Sequence, residues 1–404
     1  MKAVTATCAR RVIAMMAFAS VCSAQEVDLA GYAGFEPRIF LEKPAYQQHP
    51  KHGLSPSAMI SPEFRYTWNG ASDRITVIPF YRYDADDENR THWDIREANW
   101  QHFADPWTLL VGLGKVFWGV AESRHLVDII NQTDLVENID LEEKLGQPMI
   151  HLEWWSDKGT LGFFVLPGFR ERTFPANDGR LRGPLPISNN GAVYDSGAGD
   201  KRVDLALRWF NSVDSWDIGL SGFYGNGREP RLVVQAGESG GFVLVPHYDV
   251  ISQIGADIQY TREAWLWKLE VIGRSGQGKD FGAMVGGTEY TFFGIRDSNI
   301  DIGVLAEYLY DARDEDAPPT SLDDDIFVGA RFSLNDLDGT NILAGLIVDT
   351  GSGETIGVIE AERRVGERWK LEFELRLLTN IAEDDRLYGI ERDSYVTLRA
   401  DWFF

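Results

Sequence analysis

The side chains with most scope for chemistry in this chain are charged, and they crowd into two neighbouring stretches. The first, Trp118 to Pro148 (WGVAESRHLVDIINQTDLVENIDLEEKLGQP), holds Glu122, Asp128, Asn131 and Asp134, then an acid run from Glu137 to Glu143. The second, FRERTFPANDGRLRGP, holds Arg170, Arg172, Arg180 and Arg182, with Arg202 further along; it stands out in a chain of formal charge −23. Opposed across a water-filled space, such groups would create a transverse field and sort solutes by charge, with a sign that the sequence does not reveal. As ordinary loop ion pairs they would contribute little. With Trp118, these nine residues (Trp118, Glu122, Asp128, Asn131, Asp134, Arg170, Arg172, Arg180, Arg182) are the candidates for a constriction.

Motifs for bond-making chemistry are weak. Gly237-Glu-Ser-Gly-Gly241 looks like a serine-protease nucleophile run, but a His flanked by Ala and Cys is absent, so a glycine-rich loop is expected. The histidines, His49, His52, His92, His102, His125, His151 and His247, include no HExxH or other metal-ligand spacing. Gly276-Gln-Gly-Lys279 lacks the P-loop spacing. No catalytic residue, cofactor or metal site is therefore expected. Calcium or magnesium could sit at Asp84 to Glu88 or Asp323 to Asp325, where carboxylates that merely stay solvated are the plainer reading. A triad assembled from separate strands is invisible to spacing, so a lipid or peptide hydrolase built around His49, His52 or His247 stays open as an alternative.

The elements that must position these groups are short and alternating. In Trp369 to Leu377 (WKLEFELRL), Trp369, Leu371, Phe373, Leu375 and Leu377 fall on one face of a strand, and Lys370, Glu372, Glu374 and Arg376 on the other. Four charges on one strand face would be costly in a packed core and are at ease against water. The last eleven residues divide likewise, Val396, Leu398, Ala400, Trp402 and Phe404 against Tyr395, Thr397, Arg399, Asp401 and Phe403. Lys370, Glu372, Glu374, Arg376, Arg399 and Asp401 are thus predicted to line a lumen. Similar division recurs at Trp265 to Val271, Ile300 to Tyr308 and Val203 to Trp209.

Strand candidates lie near 28–41, 58–68, 75–84, 91–102, 106–116, 147–156, 159–170, 202–211, 214–225, 251–262, 264–274, 281–292, 299–310, 325–334, 340–349, 355–364, 368–378 and 394–404. That is about eighteen, or sixteen if weak early strands merge. Every second connection is short, such as 69–73, 157–158 and 365–367, while the intervening ones include 42–57, 117–146, 171–201, 226–250, 311–324 and 379–393. Sorted loops of this kind predict an all-β, transmembrane, up-and-down antiparallel barrel, with short periplasmic turns and long extracellular loops. A barrel of 16–18 strands leaves an aqueous lumen or a plugged one. The segment 117–146 carries Leu126, Ile129, Ile130, Leu135, Val136 and Ile139 at helix-like spacing. It is too apolar to project into water, and is expected to fold inward and narrow the lumen.

Composition agrees. Thirteen Trp, 14 Tyr, 22 Phe and 40 Gly suit strands with aromatic girdles and tight turns. Residues 1–24, with Lys2, Arg10 and Arg11 before a short apolar run and Ser23-Ala24 after it, read as a secretory signal peptide. The single domain 25–404 would then contain no cysteine, since Cys8 and Cys22 are removed, and its charge would become −26 by loss of three cationic residues. Val21 before Cys22 is too bulky for a lipobox, so lipidation is not expected. So acidic a chain is not expected to bind nucleic acid.

Two stretches carry a family resemblance. The closing strand ending at Phe404 is similar to the terminal signature of Gram-negative outer-membrane β-barrels. This implies an outer-membrane location, contact with membrane lipid and lipopolysaccharide, and recognition by the barrel-assembly machinery. A strand ending Gly114-x-x-x-Trp118-Gly119, followed by Asn131 and Asp134, resembles porin-like, alginate-export-type and related proteobacterial proteins, although that family often has Asn-Pro where this chain has Asn131-Gln132. The resemblance implies a channel for passive diffusion or export of small polar or charged solutes. A plugged structural or adhesion barrel is the other alternative to a hydrolase.

Overall fold

The computed structural model describes residues 25–404 apart from 51–52, 190, 238–239 and 384. The expected leader 1–24, with both cysteines, lies outside the described residues, as does His52. The strands are β1 (Glu26–Phe40), β2 (Leu54–Trp68), β3 (Asp73–Asp84), β4 (His92–Ala104), β5 (Trp107–Gly114), β6 (Gln147–Ser156), β7 (Gly159–Pro167), β8 (Val193–Tyr194), β9 (Val203–Val213), β10 (Trp216–Asn226), β11 (Arg231–Ala236) and β12 (Phe242–Tyr248). They continue with β13 (Val250–Arg262), β14 (Trp265–Ser275), β15 (Phe281–Phe292), β16 (Asp301–Asp311), β17 (Asp324–Ser333), β18 (Asn341–Asp349), β19 (Thr355–Val365), β20 (Trp369–Thr379) and β21 (Tyr395–Phe403). Eighteen of them form one antiparallel sheet in chain order. It closes where β1 pairs with β21, from Tyr32 opposite Phe403 to Phe40 opposite Tyr395. Closure leaves no free edge, the condition for a sheet to sit in a bilayer.

The other three strands, β8, β11 and β12, make a small sheet within the long connections. The sequence reading had no strand there. Between β11 and β12 the Gly240 N–H donates to the Gly237 carbonyl.

The longest connections all lie at one end of the barrel, the loop end; the other is the turn end. At the β2–β3 turn, Asn69 and Gly70 have φ of 54° and 64°, the left-handed backbone that such hairpins need. Outward side chains are apolar along most strands: Trp265, Trp267, Leu269 and Val271 of β14 are exposed, while Glu270, Ile272 and Arg274 face inward and are buried. Aromatic rings gather toward both rims. Trp93, Tyr83, Tyr224 and Tyr310 are exposed toward the loop end, and Trp154, Trp216, Trp265, Trp369 and Trp402 toward the turn end. An aliphatic belt between two aromatic rings is the surface that a bilayer solvates.

Candidate functional site

The chain between β5 and β6, residues 115–146, does not leave the barrel. Its two stems are clamped by Asn131, whose Oδ1 accepts the Val116 N–H and whose Nδ2 donates to the carbonyls of Gly114 and Leu145, each at 2.9 Å. From there one limb crosses to the far wall. Val120 and Ala121 donate backbone N–H groups to Glu270 Oε1 of β14 at 2.7 and 3.0 Å, and Val127 donates to Oε2 at 3.2 Å. Glu122 and Ser123 donate likewise to Glu307 of β16. Two buried wall carboxylates thus satisfy backbone donors that would otherwise be stranded away from water.

The same limb buries an apolar face. Leu126, Val127, Ile129 and Ile130 form one core with Phe223, Ile251, Ile272, Val285, Leu305, Leu309 and Phe327 from the inward faces of β10 and β13 to β17. Those strands are apolar inside because the segment, not water, lies against them. Despite its helix-like apolar spacing the segment is turns and bends, with isolated bridges Thr133–Lys144 and Asp134–Thr173. Side-chain and backbone bonds to the walls replace the helical ones.

The second limb is tied by charge. Asp134, fully buried, lies 2.5 Å from Arg96 of β4 and accepts from Thr173 Oγ1 at 2.7 Å. Glu137 lies 2.7 Å from Arg82 of β3, and Glu36 of β1 lies 2.5 Å from Arg90. Burial opposes ionisation of Glu137, but Arg82, Arg90 and Arg96 outweigh it and hold its carboxyl below the usual range. Asn138 donates to Glu374 of β20 and accepts from the Tyr395 hydroxyl at 2.9 Å.

The segment therefore partitions the lumen. Below it, toward the turn end, lies an inner chamber of about 330 Å³ against β17 to β21 and β1, lined by ten carboxylates and four arginines. Above it lies a vestibule of about 250 Å³, lined by six arginines and Lys144 against four carboxylates. Asp140 and Glu142 line both and lie between the two chambers. Asp140 faces Arg376 at 3.4 Å, with Glu360 and Glu374 in the same cluster. Burial raises its pKa to about 7, with Arg376 opposing and Glu374 adding to the rise. His125 is pushed up to about 10: burial works against its protonation, and its contacts with Glu142 at 3.1 Å and Glu270 at 3.7 Å overcome that.

Of the sequence candidates, Glu122 lines the inner chamber and pairs with Arg331 at 2.6 Å, and Asp128 lines the vestibule and pairs with Lys144 at 3.1 Å. Arg172 also lines the vestibule and donates to Gln132 Oε1. Trp118 is packed beneath the segment, edge-on to Phe164 and under Arg208. Arg170 pairs with Asp94 of β4 at 2.8 Å. Arg180 and Arg182 do not oppose the acids across the lumen and line neither chamber. Arg180 bonds Asp393 at 2.7 Å and stacks on Phe40, while Arg182 donates to the carbonyls of Gly183 and Asn177. Glu372, Glu374 and Arg399 line the inner chamber and Arg376 the vestibule. Lys370 pairs with Glu362 and Glu372, and Asp401 is buried beneath Arg399. His49 is buried against Tyr46, and His247 of β12 lies 2.8 Å from Asp195.

The vestibule's other arginines escaped the sequence reading. Arg274 and Arg313 converge on Glu229 at 2.8 and 3.1 Å, and Arg124 reaches Asp311 at 3.2 Å. Glu229 is held well below the ordinary carboxylate range: burial would raise it, and Arg313, Arg274, Arg124 and Arg172 outweigh that.

No family model matches this chain, and no curated protein matches it. Among solved structures, a mutant of the Rh. blastica porin is similar at 10% identity and a TM-score of 0.43, over 94% of this chain and 100% of that one. A loop-deletion mutant of OmpT, an outer membrane protein of Vibrio cholerae, is similar at 10% identity and a TM-score of 0.48, over 94% and 100% of the two chains.

Proposed function

We propose that the chain is a passive channel of the Gram-negative outer membrane, not a hydrolase, and that it passes small polar or charged solutes with a preference for cations. The turn end would face the periplasm and the loop end the outside, with lipid and lipopolysaccharide around the belt and the closing strand at Phe404 recognised by the assembly machinery. The observation that carries the reading is the inner chamber, where ten carboxylates face four arginines under a segment anchored to both walls. Lining charges at such range bias which ions enter, while hydrated walls let them leave again. Kinship with alginate-export-type proteins, suggested by Gly114, Trp118, Gly119, Asn131 and Asp134, would be consistent with a polar solute.

The test is single-channel conductance of the refolded protein in a planar bilayer, with the reversal potential under a salt gradient. Discrete steps with a cation-selective reversal potential are expected. A folded, heat-modifiable barrel without conductance would instead mean that the partition plugs it.

A further inference from the structure

At the loop end, outside both chambers' charge pattern, carboxylates meet, and among the described residues no cationic side chain forms a salt bridge with them. Asp323 precedes β17, Asp325 is its second residue, and Asp349 ends β18; each offers a carboxylate oxygen, and these lie within 4.8 Å of one another. Asp325 and Asp349 are directly opposed cross-strand partners, an arrangement that is destabilising for like charges. Asp325 is 2% exposed, and its Oδ2 has no hydrogen-bond partner among the described residues. A buried carboxylate oxygen left unsatisfied is costly unless something cationic meets it.

The surroundings make the deficit larger. Glu354, in the β18–β19 turn, is 4% exposed. Its carboxyl shares a hydrogen bond with Asp385 and lies in the field of Asp325 and Asp349. Asp349 already uses one oxygen, accepting the N–H groups of Gly351 and Ser352, which fixes the turn and orients its carboxylate. Asp385 likewise spends Oδ1 on the Leu387 N–H at 2.7 Å, at the start of a short helical turn, Arg386–Ile390. Leu387 and Ile390 of that turn line the vestibule.

We propose that Asp323, Asp325, Asp349 and Glu354 bind a divalent cation, calcium by preference, and that Asp385 joins them so that the ion pins the 380–394 connection to the rim of the vestibule. Hard carboxylate oxygens brought together from two strand ends, a turn and a loop suit calcium, which tolerates six to eight ligands in loose geometry, better than magnesium, which demands a near-ideal octahedron. The ion would convert a repulsive cluster into a crosslink between β17, the β18–β19 turn and the connection before β21.

The test uses the full refolded chain in lipopolysaccharide-free detergent at pH 7.5, stripped with chelator and titrated with calcium chloride. Calorimetry and the thermal midpoint are read for the wild type, D325N and D349N. Saturable calcium binding and a raised midpoint are expected for the wild type, as linkage requires of a ligand held by the folded state. Each variant should lose affinity by about tenfold or more, because a charged ligand is gone. Without calcium the variants should melt higher than the wild type, because repulsion is relieved, which a merely damaged fold would not do. Trypsin cleavage after the exposed Arg386 should slow with calcium in the wild type alone. A calcium shift of equal size in wild type and both variants overturns the site. An equal or larger response to magnesium overturns the assignment to calcium.

Discussion

The vestibule and the inner chamber share a partition and differ in sign. The vestibule gathers six arginines and Lys144 around four carboxylates, whereas the inner chamber sets ten carboxylates against four arginines. The difference follows from how each is built. Vestibule arginines come singly from the loop-end tips of separate elements, Arg228, Arg274 and Arg313 among them, and share Glu229 or neighbouring acids. Inner-chamber acids come in rows from the alternating faces of β19 and β20, as Glu360, Glu362, Glu372 and Glu374. Lys370 and Arg376 of β20 serve all four of these acids, so two cations are shared among four carboxylates and the field of the inner chamber outlasts its ion pairs. Solutes would meet a positive antechamber and then a negative cell, which suits dipolar solutes as well as cations.

The strongest way to break this comparison is to remove the partition. Replacing 118–144 by a short glycine linker should merge the chambers and raise single-channel conductance by about twofold or more, because an eighteen-strand lumen is otherwise wide enough for water. Unchanged conductance would mean that the segment does not limit the path. Next in size is charge. The triple change Glu360→Gln, Glu372→Gln and Glu374→Gln should lower the cation-to-anion permeability ratio by about threefold or more, read from the reversal potential. The pair Arg274→Gln and Arg313→Gln should move it the other way. Movement in the same direction would show that the chambers do not act separately.

A smaller effect comes from Asp140, between the chambers with a pKa of about 7. The protonated form is neutral, so cation preference should be lower at pH 6 than at pH 8. Because the folded pKa is raised above the unfolded one, the same ionisation weakens the fold as pH rises through 7. Asp140→Asn should flatten the pH dependence of the reversal potential, and a persistent slope would assign it elsewhere. The smallest expected effect is at Arg180 and Arg182. Neutralising both should leave selectivity as it was while lowering the thermal midpoint, since Arg180 is the buried partner of Asp393.

The wall was legible in the sequence because a strand writes its two faces in alternate residues. Trp369 to Leu377 states its lipid side and its water side outright, and all eighteen barrel strands fall close to where alternation and loop length put them. The partition's material was legible too: Leu126, Ile129 and Ile130 are apolar where a free loop would not be, and all three are buried. Its conformation was not, because helix-like spacing records which residues need burial and not which wall supplies it. The basic groups were hardest. Arg170 to Arg182 are neighbours in sequence but lie on irregular backbone with no period, so nearness there did not imply a common direction. Arg82, Arg124, Arg274 and Arg313 lie on four separate stretches of the chain, and only the folded barrel brings them to Glu137, Asp311 or Glu229.

The seam between β1 and β21 has a consequence in time. Its hydrogen bonds join residues more than three hundred positions apart, down to the Phe404 N–H on the Gly31 carbonyl. Contacts so distant along the chain form late, since the entropy of closing the intervening loop is lost before the bonds repay it. Until then β1 presents an open row of donors and acceptors to any passing strand. The edge of the first strand therefore stays open until the last one arrives, and is where a stalled molecule would aggregate.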